Sequence, residues 1–329
     1  MSWRTALARW RITTGAFRLA ITLQLAAAGG ALAQALGSPL PWLIGPLLCT
    51  AALSALGAPL RASNRLRNAG QWILGTALGL YFSPQAVAVV QTLASAIALG
   101  VLWALGLGYA FYRWLMWVER DGDALPASAF FGAAIGGASE MALLADRAGA
   151  QVDRVASAHS LRVLIVVVLI PFAYQALGVH GADPALRAVH AVQPSGLALL
   201  LAASALGGAL MTALRVPNPW VLGALTVSAT LTGSAIEWSA LPRPLVDAAQ
   251  VAIAATLGLR FTPASLRAAP RWLAAVALGT LVLIATSAGL ALLLAWSGNC
   301  TRPPCCWPPR RAASPRWPSR RRCWVWVCR

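Results

Sequence analysis

Pro39-Leu-Pro-Trp-Leu-Ile-Gly-Pro46 decides the reading, because the chain repeats it as Pro217-Asn-Pro-Trp-Val-Leu-Gly-Ala224. Pro41, Trp42 and Gly45 return as Pro219, Trp220 and Gly223, an offset of 178 (41 to 219). Gly29-Gly-Ala-Leu32 returns at the same offset as Gly207-Gly-Ala-Leu210. Gln71 through Pro84 returns as Gln250 through Pro263, one residue further on. Three matched blocks in one order are a duplicated half, and the period is far too long for a solenoid unit. It suits two halves of a membrane protein.

Composition points the same way. Of the 329 residues 59% are hydrophobic and 11% charged, where soluble domains carry roughly a quarter charged. The long apolar runs suffice for many spans of about 20 residues. The expected fold is an all-α polytopic membrane protein of two homologous halves, arranged as inverted repeats with re-entrant or broken helices. About nine spans are expected, although window counting alone would equally give six per half rather than five.

The formal net charge of +17 would ordinarily suggest nucleic acid or a membrane surface as partner. Every basic residue is Arg, and Gly298–Arg329 holds eight of them, with six Pro, four Trp and five of the six Cys. Cys305-Cys306 and Cys323 with Cys328 lack the spacing of a zinc knuckle, and the stretch has no His. A disulfide scaffold does not follow such a membrane body either. A shifted reading frame accounts for it. One allowed codon choice from Trp307 onward gives Ala-Pro-Ala-Pro-Gly-Gly-Ile-Ala-Glu-Met-Ala-Leu-Thr-Ala, which echoes Gly136-Gly-Ala-Ser-Glu-Met-Ala-Leu143. Setting those eight arginines aside leaves +9 of the +17.

The chain then divides into a basic cytoplasmic N-terminus (1–18), a first membrane repeat (19–178), a second, truncated repeat (193–297) and a frameshifted tail (298–329). Arg4, Arg9, Arg11 and Arg18 precede the apolar Leu19–Leu36. A cleaved signal peptide would remove Gly29–Leu32, part of the duplicated unit, so an uncleaved first helix is expected. The Arg61, Arg65 and Arg67 loop places the following connection in the cytoplasm. Its counterpart in the second half is poorer in Arg, while Arg260, Arg267 and Arg271 sit where the first half has an uncharged turn. Basic residues have changed sides, as inversion requires. Gln71–Phe82 is expected to be half a membrane thick and Ala86–Tyr112 a full span.

Ala127–Ala145 is the candidate site. It is apolar enough to enter a bilayer, yet Gly136-Gly137 would weaken a helix and Ser139 and Glu140 follow at once. An ionisable group at membrane depth usually lines a pathway, and non-helical backbone there needs protein or water around it. A surface loop with a solvated Glu140 is the alternative. His159 and Arg162 share one helical face at the head of the apolar run Val163–Leu177, where Arg162 is free to snorkel or to pair Glu140. Gly136, Gly137, Ser139, Glu140, His159 and Arg162 are therefore the substrate-binding or pathway candidates. Pro41, Trp42, Gly45, Pro219, Trp220 and Gly223 form the repeated structural motif. No catalytic, metal or cofactor set is expected, since His159, His180 and His190 with the sparse carboxylates make no recognisable metal site.

The doubled Pro-Trp-x-x-Gly, the Gly-Gly-x-x-Glu-Met segment and the His-x-x-Arg helix start resemble the AbrB family of bacterial membrane proteins. These are distinct from the small DNA-binding transition-state regulators that share the name. The resemblance covers about Leu19–Trp296 and departs from the family in lacking the second Gly-Gly-x-x-Glu-Met. It implies a duplicated membrane domain and the labels of gene-expression regulator or ammonia monooxygenase. The residues disfavour the oxygenase label, and no stretch before the tail would fold as a soluble DNA-binding module. The expected function is a transporter-like protein of the bacterial inner membrane for an unidentified small solute. Its N-terminus is expected in the cytoplasm, with the lipid bilayer as partner, no direct nucleic acid and homo-oligomerisation left open. A membrane protein acting in regulation of gene expression is the alternative.

Overall fold

The computed structural model describes residues 3–119, 125–178, 192–236, 238–263 and 269–296, with side chains from Gly15 onward. The tail from 298, the acidic loop residues Arg120, Asp121 and Asp123, His180, His190 and Arg267 lie outside the described residues, as do the side chains of Arg4, Arg9 and Arg11. Among the described residues the chain forms helices and no strand. They are α1 Trp3–Ala35, α2 Pro41–Ala55, α3 Asn64–Gly79, α4 Pro84–Thr92, α5 Ala94–Val118 and α6 Pro126–Ala133. There follow α7 Ala138–Arg147, α8 Val152–Ala176, α9 Pro194–Ala213, α10 Pro219–Gly233, α11 Arg243–Gly258 and α12 Pro270–Trp296.

Five of these are long and apolar enough to cross a membrane: Gly15–Ala35 within α1, then α5, α8, α9 and Pro270–Leu294 within α12. The protein is an all-α, multi-pass membrane protein. Counting α3 and α4 as one span bent by 80° makes six, fewer than the nine expected from sequence. The difference lies in α2, α10 and α11, of 15 or 16 residues each. At 1.5 Å per residue such helices fall short of a hydrocarbon core about 30 Å thick.

Three boundaries also differ. The first helix starts at Trp3, inside the basic segment. The Gln71–Phe82 unit is the end of a longer α3. The expected span Ala86–Tyr112 is broken at Leu93, where α4 ends and α5 begins. Ser83 caps α4 by accepting from the Ala86 N–H at 3.2 Å, with Pro84 pre-set at the first helical position. That local cap sets where α4 begins after the break.

The duplicated motif builds two like hairpins. A side chain begun at Gly30 would meet Trp42 at 2.7 Å, and one begun at Gly208 would meet Trp220 at 2.7 Å. One begun at Gly29 would meet the Gly45 carbonyl at 2.8 Å, and one begun at Gly207 that of Gly223 at 2.6 Å. Small residues bring α1 onto α2, and α9 onto α10, to backbone contact, as close packing between membrane helices favours. The turns match too. Positive φ falls at Gly37, Leu40 and Gly57, and again at Arg215, Asn218 and Ala235. Each of the second set lies 178 residues after its counterpart.

The halves then interlock. α2 packs on α11 and α10 packs on α3. Gly258 receives the Thr50 hydroxyl and, at the equivalent place, Gly79 receives that of Ser228. Both hydroxyls are satisfied by their own helices, Thr50 donating to Pro46 O at 2.7 Å and Ser228 to Ala224 O at 2.6 Å. α3 and α11 cross where a side chain begun at Gly70 would meet the Ala249 carbonyl at 2.8 Å. Gly70 and Ala249 are themselves repeat equivalents, so an approximate two-fold passes between them. One exchange is not conserved chemically: Trp72 Nε1 donates to Ser204 Oγ at 2.9 Å, while its counterpart Val251 packs on Ala26.

α5, α6, α8 and α12 make a second body around Phe111, Leu115, Ala129, Ala133, Ala158, Trp272, Ala275 and Val276. Trp272 is fully buried, donates to Arg154 O at 3.0 Å and lies under the Arg154 guanidinium. Arg154 pairs Glu119 at 3.2 Å with the two side chains only 18% and 10% exposed. This pair ties the end of α5 to the start of α8, and α7 packs along α8 beside it.

Candidate functional site at a broken helix

The candidate stretch is two short helices with a non-helical break, not an open surface loop. Gly132 and Ala133 at its centre are buried. Backbone turns extended at Ala134 (φ −53°, ψ 148°) and re-enters a helix after Gly137 (φ −68°, ψ 133°). Any residue adopts those angles, so the Gly pair is not needed for backbone freedom, contrary to the sequence expectation. It is needed for space. A side chain begun at Gly137 would meet Asn218 Nδ2 at 2.8 Å and Glu140 Oε2 at 3.5 Å. One begun at Gly136 would meet the Met141 side chain at 2.9 Å.

Breaking a helix leaves the last carbonyls of α6 and the first N–H groups of α7 without helical partners. The α6 end is capped from α8. His159 Nε2 lies 2.8 Å from Phe131 O, and because a carbonyl only accepts, that nitrogen carries its hydrogen. Arg162 Nη1 donates to the carbonyls of Gly132, Ala133 and Ala134 at 3.1, 3.1 and 3.2 Å, and its guanidinium stands 5.1 Å from the Phe111 ring centroid. A guanidinium at a helix C-terminus also complements the negative end of the helix dipole. Arg162 neither snorkels nor pairs Glu140. Three converging carbonyls hold it instead.

Glu140 sits across the break, in the first turn of α7. Its Oε2 is buried and has no hydrogen-bond partner, where buried polar atoms are normally paired. A helix N-terminus suits a negative charge. Asn218 begins α10 in left-handed geometry (φ 48°, ψ 51°), so a second helix N-terminus, from the other half of the chain, opens on the same gap. The structure thus brings Gly136, Gly137 and Glu140 together with Asn218, and sets His159 and Arg162 at the opposite lip of the break. The side chain of Ser139 lies outside the described residues. Pro41, Trp42, Gly45, Pro219, Trp220 and Gly223 stay in the interlocked hairpins. Asn218 was missed as a site residue. Its signal was available, since the chain places Asn where the first copy of the motif has Leu40. Among the described residues no group of three or more His, Cys, Asp or Glu is gathered to hold a metal ion.

The chain is 27% identical over 228 residues to "Uncharacterized protein YhjN" of Bacillus subtilis (strain 168), covering 62% of this chain and 57% of that protein. It thus spans a little over half of the relative's length. No solved structure matches the chain. The profile of the family described as "Transition state regulatory protein AbrB" matches residues 42–302. A match of that extent, running from Trp42 through the broken α6–α7 stretch and Trp220, makes the chain a member of the AbrB family.

Proposed function

We propose that this protein is a transporter-like protein of the bacterial inner membrane, which moves a small solute past the break between α6 and α7. The observation that carries the reading is the buried, unpartnered Glu140 oxygen facing Asn218 of the opposite half. A carboxylate so placed holds a proton, a cation or a donor group of the solute. Broken helices whose ends meet in the interior of a doubled fold are a recurring way to build such sites. The reading takes residues 19–178 and 193–297 as halves inverted in the membrane, with the N-terminus in the cytoplasm.

The experiment replaces Glu140 with Gln and scores membrane abundance beside uptake of a panel of labelled small solutes by vesicles carrying the native protein or the variant. Expected is unchanged abundance with uptake reduced at least tenfold for the solute the native protein carries. Normal uptake at normal abundance would retire Glu140 and this reading with it. The family description favours a second reading, a membrane protein that regulates gene expression. In that case E140Q would change transcript levels while no solute distinguishes native vesicles from empty ones.

A further inference from the structure

The head of α10 is built unlike an ordinary helix start. An Asn in that place usually turns its side-chain oxygen back onto the first-turn N–H groups. Asn218 makes no such cap. Its amide is turned against Gly137 of the other half, where a side chain begun at Gly137 would meet Nδ2 at 2.8 Å. The N–H groups of Val221 and Leu222 both donate to Asn218 O, at 3.2 and 3.1 Å. Pro219 has no N–H, which leaves that of Trp220 without a helical partner. α7 opens in the same way. Its first backbone bond runs from the Met141 N–H to Gly137 O at 2.9 Å. The N–H groups of Ala138, Ser139 and Glu140 precede that bond, and Gly137 has no side chain with which to cap them.

Between these two uncapped helix starts stands an acceptor. An ionised carboxylate only accepts, and the Glu140 Oε2 is buried, unpartnered and 3.5 Å from the same Gly137 position that Asn218 crowds. Acceptor and donor thus flank one Cβ position, a few ångström apart, without bonding to each other. That is the separation of the ammonium and carboxylate of an α-amino acid, which share one carbon. A bare cation would answer Glu140 and leave the donors unmet. A bare anion would answer the donors and be repelled by Glu140. The positive ends of α7 and α10 suit a solute carboxylate. Met141 lies against Gly136 and Asn218 against Gly137, so the space beside both glycines is in use and the solute is small. We propose that Glu140 and Asn218 together bind a small zwitterion of the α-amino-acid type. Its ammonium sits on Glu140, and its carboxylate on the Asn218 amide and the open first turn of α7. This rests on the reading of Glu140 as the solute site and names the class of solute it takes. Asn218, which stands where the first copy has Leu40, is then the residue that tells an amino acid from a simple amine.

The test is binding to the purified full chain, read as its thermal unfolding midpoint at matched ionic strength. The probes are glycine, L-alanine, L-serine and L-proline as zwitterions, with ethylamine and propionate as the two separate ends. Expected is a saturable rise with at least one zwitterion in the native protein and in the control G100A, and none with ethylamine or propionate at the same concentration. N218G keeps the left-handed backbone and removes the amide. N218D keeps the shape and replaces the donor with a second carboxylate. Half-saturation should move at least tenfold higher in both, and in E140Q. Should N218G not fold, N218D carries the same comparison. A response to ethylamine equal to that of the zwitterions, or zwitterion responses undiminished in the Asn218 variants, would overturn the proposal and leave Glu140 a plain cation or proton site. Silence toward all four zwitterions would overturn it as well; uptake of another solute, lost in E140Q, would then leave the transport reading standing. Zwitterion binding without uptake has the opposite meaning, since the site then stands and the transport reading falls.

Discussion

Leu40 is held with φ 48° and ψ 55°, a left-handed conformation that a leucine side chain opposes, while Asn218 holds the same geometry in the second copy. Left-handed backbone costs most residues roughly 1–2 kcal/mol, and Asn tolerates it better. Leu40 is 48% exposed, so its replacement loses little packing. Leu40→Asn should therefore stabilise the protein by about 0.5–1 kcal/mol, read as a raised unfolding midpoint; an unchanged or lowered midpoint would show that Leu40 is held by contacts rather than against strain. The same asymmetry explains the candidate site. Only the copy that has Asn presents an amide to Gly137 and Glu140. His159 and Arg162, legible as a polar pair on one helical face, turned out to cap a broken helix end rather than to meet an acid. Their partners are backbone carbonyls 28 to 30 residues away in sequence, and backbone carbonyls leave no mark on a residue pattern.

At the scale of elements, the hairpins α1–α2 and α9–α10 are held by absence of side chain. Gly→Ala inside a helix ordinarily stabilises by up to about 1 kcal/mol through propensity. At Gly45 and Gly223 the sign should reverse, because the added carbon would enter the backbone of Gly29 or Gly207. Overpacking of this kind costs roughly 1–3 kcal/mol. Gly45→Ala and Gly223→Ala should each lower the unfolding midpoint and the yield of folded protein. Gly100→Ala, whose added carbon would meet nothing within 4 Å on lipid-facing α5, is the control and should be neutral or slightly stabilising. Equal behaviour of all three would mean that the hairpins do not depend on the close approach. The break between α3 and α4 belongs to this scale as well. Ser83-Pro84 was legible as a stop, but the continuation of α3 back to Asn64 and the 80° bend depend on α10 and α11 packing against it.

At the scale of the whole molecule, contacts sort helix ends into two sets. Thr22 Oγ1 in the second half of α1 accepts from the Arg61 N–H at 3.0 Å, joining α1 to the α2–α3 connection. At the matching place in the second half, Ser239 Oγ accepts from the Gln193 N–H at 3.0 Å. Gln175 at the end of α8 donates to Gly37 O at 2.9 Å, so the end of α8 lies beside the end of α1. In the proposed topology the two halves are inverted and the Arg61–Arg67 stretch is cytoplasmic. Single cysteines at Ser63 and Ser38, in a chain otherwise free of Cys, should label from opposite sides, Ser63 from the cytoplasm alone. Labelling of both from one side would overturn the topology.

The order of residues alone determined that this is a doubled, helical membrane protein, because the glycines and tryptophans of each motif answer one another within a single hairpin. Such contacts span about a dozen to twenty residues and leave a pattern that repeats with the motif. Tertiary structure alone decided that Arg162 seals α6 and that Asn218 crosses to Gly137 beside Glu140. It alone decided that α2 and α10 each lie on the other half. Those juxtapositions join segments up to some 200 residues apart through the approximate two-fold between α3 and α11. Which side chain of one half meets which of the other is set by how the helices cross, and no local spacing encodes it.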